Sequence, residues 1–185
     1  VWKHVAILIG TVLAFGFSLF MFRQAVGPSS PWMVLLLFLC FLGLAKVAEP
    51  IFVLKLPRVF REVRPWEARG RMYRALGVPG FGRLLRDTPL RLLNTTVYVG
   101  RGDRDPARIL RQVESAEAIH FWAAIALVPY LMACIAAGRW NVLGAFVAIE
   151  VLGNAYPIMH LRSVRARVPR LLVRHIPLQL VHPGA

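Results

Sequence analysis

Four long apolar runs constrain this chain more than anything else in it. His4 to Phe22 contains no Asp, Glu, Lys or Arg. Trp32 to Leu54 carries only Lys46 and Glu49, both late in the run. Ala118 to Ala137 has no acidic or basic residue except His120, and Trp140 to Leu161 holds Glu150 and His160. About 20 apolar residues cross a bilayer core. The expectation is an all-α integral membrane protein, one membrane domain over residues 1–185, with spans at about 4–22, 32–54, 118–137 and 140–161. Only Gly138 and Arg139 separate the last two runs, so they form a tight helical hairpin. Phe22-Arg23-Gln24-Ala25-Val26 makes a poor signal-peptide cleavage site, so the first run is expected to remain as a span.

Charge sets the expected orientation. The formal net charge is +14, from 23 Lys and Arg against 9 Asp and Glu. Fourteen of the basic residues lie between Lys55 and Arg111, five lie between Arg162 and Arg174, and Lys3 precedes the first run. Arg23 and Arg139 fall on the opposite side, and Lys46 lies within a span. Positive-inside bias then places both termini and the middle segment in the cytoplasm of a multi-pass protein. Anionic lipid headgroups explain this charge better than nucleic acid does. Cys40 and Cys134 sit in apolar runs as small apolar residues, with neither metal spacing nor a disulfide framework.

The middle segment, 55–113, is too charged to enter the membrane. Pro57 and Pro65 bracket a basic stretch, and Trp66 to Leu76 reads as one helix ended by Gly77 and Pro79-Gly80. Phe81, Leu84 and Leu85, then Leu90, Leu92 and Leu93, continue an apolar stripe. Short amphipathic helices that lie in the interface, or that pack against the ends of the bundle, fit this mixture. Gly100 to Asp105 reads as a loop, with Asp105-Pro106 capping the helix that leads into the third span.

In an antiparallel hairpin, the start of the third span and the end of the fourth share one depth. That brings together Glu117 and His120 from one helix, and Asn154, Tyr156 and Pro157 from the next. Glu117 and His120 are three apart and share a face. A carboxylate beside an imidazole fixes its tautomer and raises its basicity, the arrangement that activates a hydroxyl. A helix-entrance pair beside the positive helix dipole is the plainer reading. Glu150, Asn154 and Pro157 share a face of the fourth span, and Pro157 frees the carbonyl of Gly153. This polar notch is either a site or helix–helix glue. Lys46 and Glu49 form a third pair at similar depth. A single Glu-x-x-His falls short of a di-metal pattern, so no metal is expected.

Trp66-Glu67-Ala68-Arg69-Gly70-Arg71-Met72-Tyr73 resembles the Trp-Glu, Gly, Tyr segment of the glycosyl-4,4'-diaponeurosporenoate acyltransferases, small bacterial membrane proteins of carotenoid synthesis. Glu117-Ala118-Ile119-His120 resembles the family's Glu-x-x-His. Asn154-Ala155-Tyr156-Pro157, followed by Arg162, Arg165 and Arg167, resembles its Asn-x-x-Pro segment and Arg-rich end. The likeness runs over about residues 45–168. It departs at the end, where His160-Leu161 precedes Arg162 in place of the family's Gln, and Ser163 and Val164 stand at its Tyr and Asn positions.

The resemblance implies transfer of a fatty acyl group from a thioester to a sugar hydroxyl on a lipid glycoside, in a bacterial cell membrane. The partners are then membrane lipids, the glycoside acceptor and the thioester donor, with acyl-CoA or acyl-carrier protein as co-substrate and no cofactor. His120 would be the general base, Glu117 its orienter and Asn154 an oxyanion donor. Arg162, Arg165 and Arg167 would hold donor phosphates. Trp66, Glu67 and Tyr73 would bind the sugar, while Lys46, Glu49, Glu150 and Tyr156 complete the substrate-binding set. No Ser or Cys stands in a nucleophile context, so direct transfer is expected. The alternatives are a non-catalytic lipid-binding or scaffold protein and, last, a transporter. A transporter usually breaks helices in both halves, whereas here only the fourth run carries a strong break.

Overall fold

A computed structural model describes residues 2–52, 54–89 and 106–168. Among the described residues the fold is all-α, and four helices are long and apolar enough to cross a membrane. The contacts divide the chain into two compact units. The first comprises residues 1–56 and 115–158, and the second comprises 57–114 and 159–185.

In the first unit, helix α1 (Trp2–Val26) ends where Gly27 takes φ +79°. Helix α2 (Pro31–Ala48) starts with Pro31 in its first turn and with the Ser30 hydroxyl accepting from the Trp32 N–H at 3.3 Å. Both are ordinary start signals. The span expected to reach Leu54 stops at Ala48, because Pro50 has no N–H to continue the ladder. Helix α1 packs on α2 but buries none of its own residues. A methyl group on Gly43 would lie 2.9 Å from the Phe15 ring, so the glycine permits the close approach of these two helices.

Helix α7 (Pro106–Ala136) is a single 31-residue helix whose apolar part begins near Ser115. Gly138, at φ +66°, turns the chain into α8 (Asn141–Ile149). The Arg139 N–H reaches back to the Cys134 carbonyl at 2.9 Å and closes the hairpin expected from sequence. Val34 and Phe38 from α2, Leu127 and Cys134 from α7, and Val142 and Phe146 from α8 form one buried cluster. The Tyr130 hydroxyl and the Asn141 amide donate to the carbonyls of Pro28 and Ser29, tying the two turns together at 3.1 and 2.8 Å. At the other end, the Trp122 indole N–H donates to the Lys55 carbonyl at 3.0 Å. Helices α2 and α7 are therefore antiparallel, as the equal-depth argument requires.

After α8 the chain widens into a π-helical segment, Glu150–Ala155, and then resumes as α9 (Tyr156–Arg165). The Tyr156 N–H bonds to the Val151 carbonyl, five residues back. Pro157 explains the widening. It offers no N–H, and its ring crowds the carbonyl four residues earlier, at Gly153. A π-turn relieves that crowding, and such turns gather at functional sites.

Among its described residues, the second unit contains four short helices: α3 (Arg58–Arg61), α4 (Pro65–Arg69), α5 (Arg71–Ala75) and α6 (Val78–Asp87). The one helix expected over Trp66–Leu76 is two, because Gly70 adopts φ +67° and turns the chain between them. Nor do Pro79 and Gly80 stop a helix. Gly77, at φ +73°, precedes α6, and Pro79 sits in its first turn, where a missing N–H costs nothing. The buried face of α6 is Val78 and Gly82, while Leu84 of the expected stripe points outward. The reason is that the His160 ring occupies the space beside Gly82: a methyl there would meet its Cε1 at 2.6 Å. Leu90, Leu92 and Leu93, the 100–105 loop, the Asp105 cap and the tail beyond residue 168 lie outside the described residues.

Candidate active site

The polar groups of the first unit gather where α7 faces the π-segment. Glu117 is fully buried on α7, and Asn154 is 1% exposed on the π-segment. His120 lies against the Asn154 side chain and the Gly153 backbone, the groups that act on its ring. The Asn154 amide also donates to Glu150 Oε2 at 3.3 Å. Three buried polar atoms here have no hydrogen-bond partner among the described residues: His120 Nδ1, Asn154 Oδ1 and Glu150 Oε1. Buried polar atoms are rarely left so, and an unexplained group of them points to a ligand, a water or a catalytic role.

Lys46 and Glu49 do pair with each other. Glu49 also accepts from the Ser115 hydroxyl at 2.7 Å, which joins the end of α2 to α7 near Glu117. Sequence reading missed Ser115. Its partner lies 66 residues away, and a serine in a helix carries no local signal of such a bond. Tyr156, at the first position of α9, is partly buried.

In the second unit, Glu67, Tyr73 and Arg162 form one buried cluster. Arg162 Nε donates to Glu67 Oε1 at 2.7 Å, and Arg162 Nη2 donates to Oε2 at 2.8 Å. The Tyr73 hydroxyl donates to Oε1 at 3.0 Å, and the Arg64 N–H donates to Oε2 at 2.7 Å. Arg162 further donates to the Phe60 carbonyl at 2.7 Å and to the Glu62 carbonyl at 3.1 Å. Burial pushes the Glu67 carboxyl upward, but the Arg162, Arg64 and Tyr73 donors outweigh it and hold the group at about 2. Burial and the Glu67 carboxylate push the Tyr73 hydroxyl up to about 12. The turn at Gly70 is what folds Tyr73 back onto a carboxylate six residues earlier. Trp66, next to Glu67, stays 45% exposed.

The three arginines near the end of α9 have different surroundings. Arg162 is held by the cluster just described. Arg165 is buried, 3.7 Å from Glu114 and 3.4 Å from the Phe60 carbonyl. Arg167 is exposed and lines two cavities of the second unit. One, of about 340 Å³, runs beside Tyr73, Arg69 and Arg74. The other, of about 510 Å³, has Gly82, Arg83, Arg86, His160 and Ser163 in its wall. Arg83 and Arg86 escaped sequence reading because their helix was read for its leucines. Among the described residues, no three His, Cys, Asp or Glu side chains group as metal ligands.

No curated protein and no solved structure matches the chain. The family model for glycosyl-4,4'-diaponeurosporenoate acyltransferase matches residues 57–174, which include Trp66, Glu67, Tyr73, Glu117, His120, Asn154 and Arg162. With more than half of its length matched, the chain belongs to the glycosyl-4,4'-diaponeurosporenoate acyltransferase family.

Proposed function

We propose that this protein moves a fatty acyl group from a thioester to a sugar hydroxyl of a glycosylated carotenoid or similar lipid glycoside, with His120 as general base. The observation that carries the reading is the group of unpartnered polar atoms on His120, Asn154 and Glu150 beside the π-segment. The family membership supports the reaction class.

In this mechanism an N–H of His120 is held by the Gly153 carbonyl, and Nδ1 is the nitrogen that takes a proton. The imidazole must be neutral to act. The sugar O–H attacks the thioester carbonyl carbon as its proton passes to His120. An N–H of Asn154 donates to the tetrahedral oxyanion, a contact worth about 2.7–4 kcal/mol in well-studied sites. The C–S bond then breaks, and His120 returns the proton to the thiolate. Glu117 positions His120 from one turn away. Glu150 and Tyr156 contact the acceptor, and Lys46 with Glu49 closes the polar end of the notch.

For the second unit, the buried, multiply hydrogen-bonded Glu67–Arg162 pair favours a bracing role over direct sugar binding, with Trp66 left exposed to stack on a ring. The outward Leu84, Trp66 and Phe60 side chains, set among arginines, suit contact with a lipid interface. Both termini lie on the cytoplasmic side of a bacterial cell membrane in this reading, following the charge bias.

The test is acyl transfer by the purified chain in lipid, with labelled acyl-CoA and a panel of carotenoid glycosides. A glycolipid ester formed by the native chain and lost in a folded His120→Ala variant supports the mechanism. An ester that survives the substitution removes His120 as the base. No ester with any acceptor sinks the reaction and favours lipid binding.

A further inference from the structure

Among the described residues, the larger cavity of the second unit has a basic rim and a floor without carboxylates. Arg83 and Arg86 come from α6, and Arg167 from just beyond α9. The floor is Gly82, His160 and Ser163. Gly82 and Ser163 are buried, and the Ser163 hydroxyl is anchored to the His160 carbonyl at 2.8 Å. His160 packs edge-on against Phe81 and lies in the electrostatic field of both Arg86 and Arg167. Among the described residues, the ion pair made by these arginines is Arg86 with Asp87, 3.8 Å from Nε to Oδ1, and both side chains are well exposed. Such a pair is worth little. Three guanidinium groups thus line one concavity, with no acid among the described residues of its wall. Like charges gathered in that way repel unless an anion joins them, and the guanidinium fork matches phosphate oxygens bidentately. The volume of about 510 Å³ falls within the range of small-molecule sites.

We infer that this cavity binds the phosphate groups of the acyl donor through Arg83, Arg86 and Arg167, and that the donor is a nucleotide-bearing thioester of the coenzyme A type. The inference rests on the acyl-transfer reading above and gives that reaction its donor class. Three arginines match a diphosphate with an additional phosphate better than they match the single phosphodiester of a carrier-protein arm. It also replaces the phosphate ligands expected from sequence. Arg162 is committed to Glu67, so of that trio Arg167 is the one in this wall.

The test is equilibrium dialysis of labelled coenzyme A against the full chain in nanodiscs of zwitterionic phosphatidylcholine. Binding is expected, and the double variant Arg83→Gln, Arg167→Gln should weaken it at least about tenfold, the loss of one charge-assisted contact or more. Arg83→Lys with Arg167→Lys keeps the charge and should retain part of the affinity, which separates recognition from misfolding. Equal binding by native and glutamine chains overturns the proposal. So does an arginine-dependent enrichment of phosphatidylglycerol around the chain with no coenzyme A binding, which would give the cavity to a lipid headgroup. A second arm uses acyl-pantetheine, a thioester without phosphates. The glutamine variant should lose transfer from acyl-CoA and keep it from acyl-pantetheine. If coenzyme A binds through these arginines but neither donor yields an ester, the cavity stands and the acyl-transfer reading falls. If native and variant chains use both donors alike, the reaction stands and the cavity falls.

Discussion

Glu67 and Arg162 are 95 residues apart in sequence and meet through two parallel hydrogen bonds, Nε to Oε1 at 2.7 Å and Nη2 to Oε2 at 2.8 Å. Further hydrogen bonds surround them. Tyr73 and the Arg64 amide complete the carboxylate, and the Phe60 and Glu62 carbonyls complete the guanidinium. A buried ion pair is sustained only when such additional bonds are present.

Breaking that pair from one side leaves a buried charge alone. Arg162→Met and Glu67→Gln should each cost about 3–5 kcal/mol of stability, and the double variant should cost less than their sum. Arg162→Lys should not restore the loss, since an ammonium lacks the two-pronged geometry. Reversible unfolding in mixed micelles measures all four chains.

The same cluster imposes a pH dependence. The Glu67 carboxyl sits at about 2 when folded and near 4.3 when unfolded. Its stabilisation is therefore complete above about pH 4.3 and disappears as pH falls toward 2. Tyr73 runs the other way: raised to about 12, it stabilises below about pH 10 and ceases to as pH climbs through 12. Unfolding midpoints across pH should lose the acid limb in Glu67→Gln and the alkaline limb in Tyr73→Phe.

Gly153 is required by packing rather than by backbone angle. A methyl group there would sit 2.7 Å from the Phe38 ring, so Gly153→Ala should destabilise the first unit by about 1–3 kcal/mol. Phe38→Leu should recover part of that loss in the double variant. If it does not, steric pressure between α2 and the π-segment is the wrong explanation.

Asn154→Ala should lower the single-turnover rate of acyl transfer by about 10²–10³ while leaving acceptor binding within a fewfold of native, because an oxyanion contact exists only in the transition state. An unchanged rate with weaker acceptor binding would place Asn154 in recognition instead. Circular dichroism and thermal unfolding guard against a folding defect, since Asn154 is buried.

The long elements were legible because apolar length and the Gly138 turn are local signals. The break near Pro157 was legible for the same reason, since a missing N–H is written in the residue itself. The motif residues Glu67, Tyr73 and Arg162 could be picked out but not understood, because their meaning is a contact between distant segments. Gly70 shows the limit well: a glycine among helix formers reads as a tolerated interior residue until its positive φ is seen. Gly82 shows another limit, because only the position of the His160 ring reveals that a side chain would not fit. Ser163 and Val164, two of the departures from the family's terminal pattern, both line the larger cavity, a grouping that their sequence positions alone do not explain.

The π-segment acts as an insertion written inside a helix. One additional residue per turn advances the helical phase by about 100°, so Tyr156, Pro157 and Ile158 face a different direction from the one an uninterrupted helix would give them. Any relative that dispenses with the wide turn must delete one residue between Glu150 and Ala155 to keep those later side chains in phase. Length in this stretch is therefore under a tighter constraint than composition, and a single-residue indel there is a more disruptive event than most substitutions.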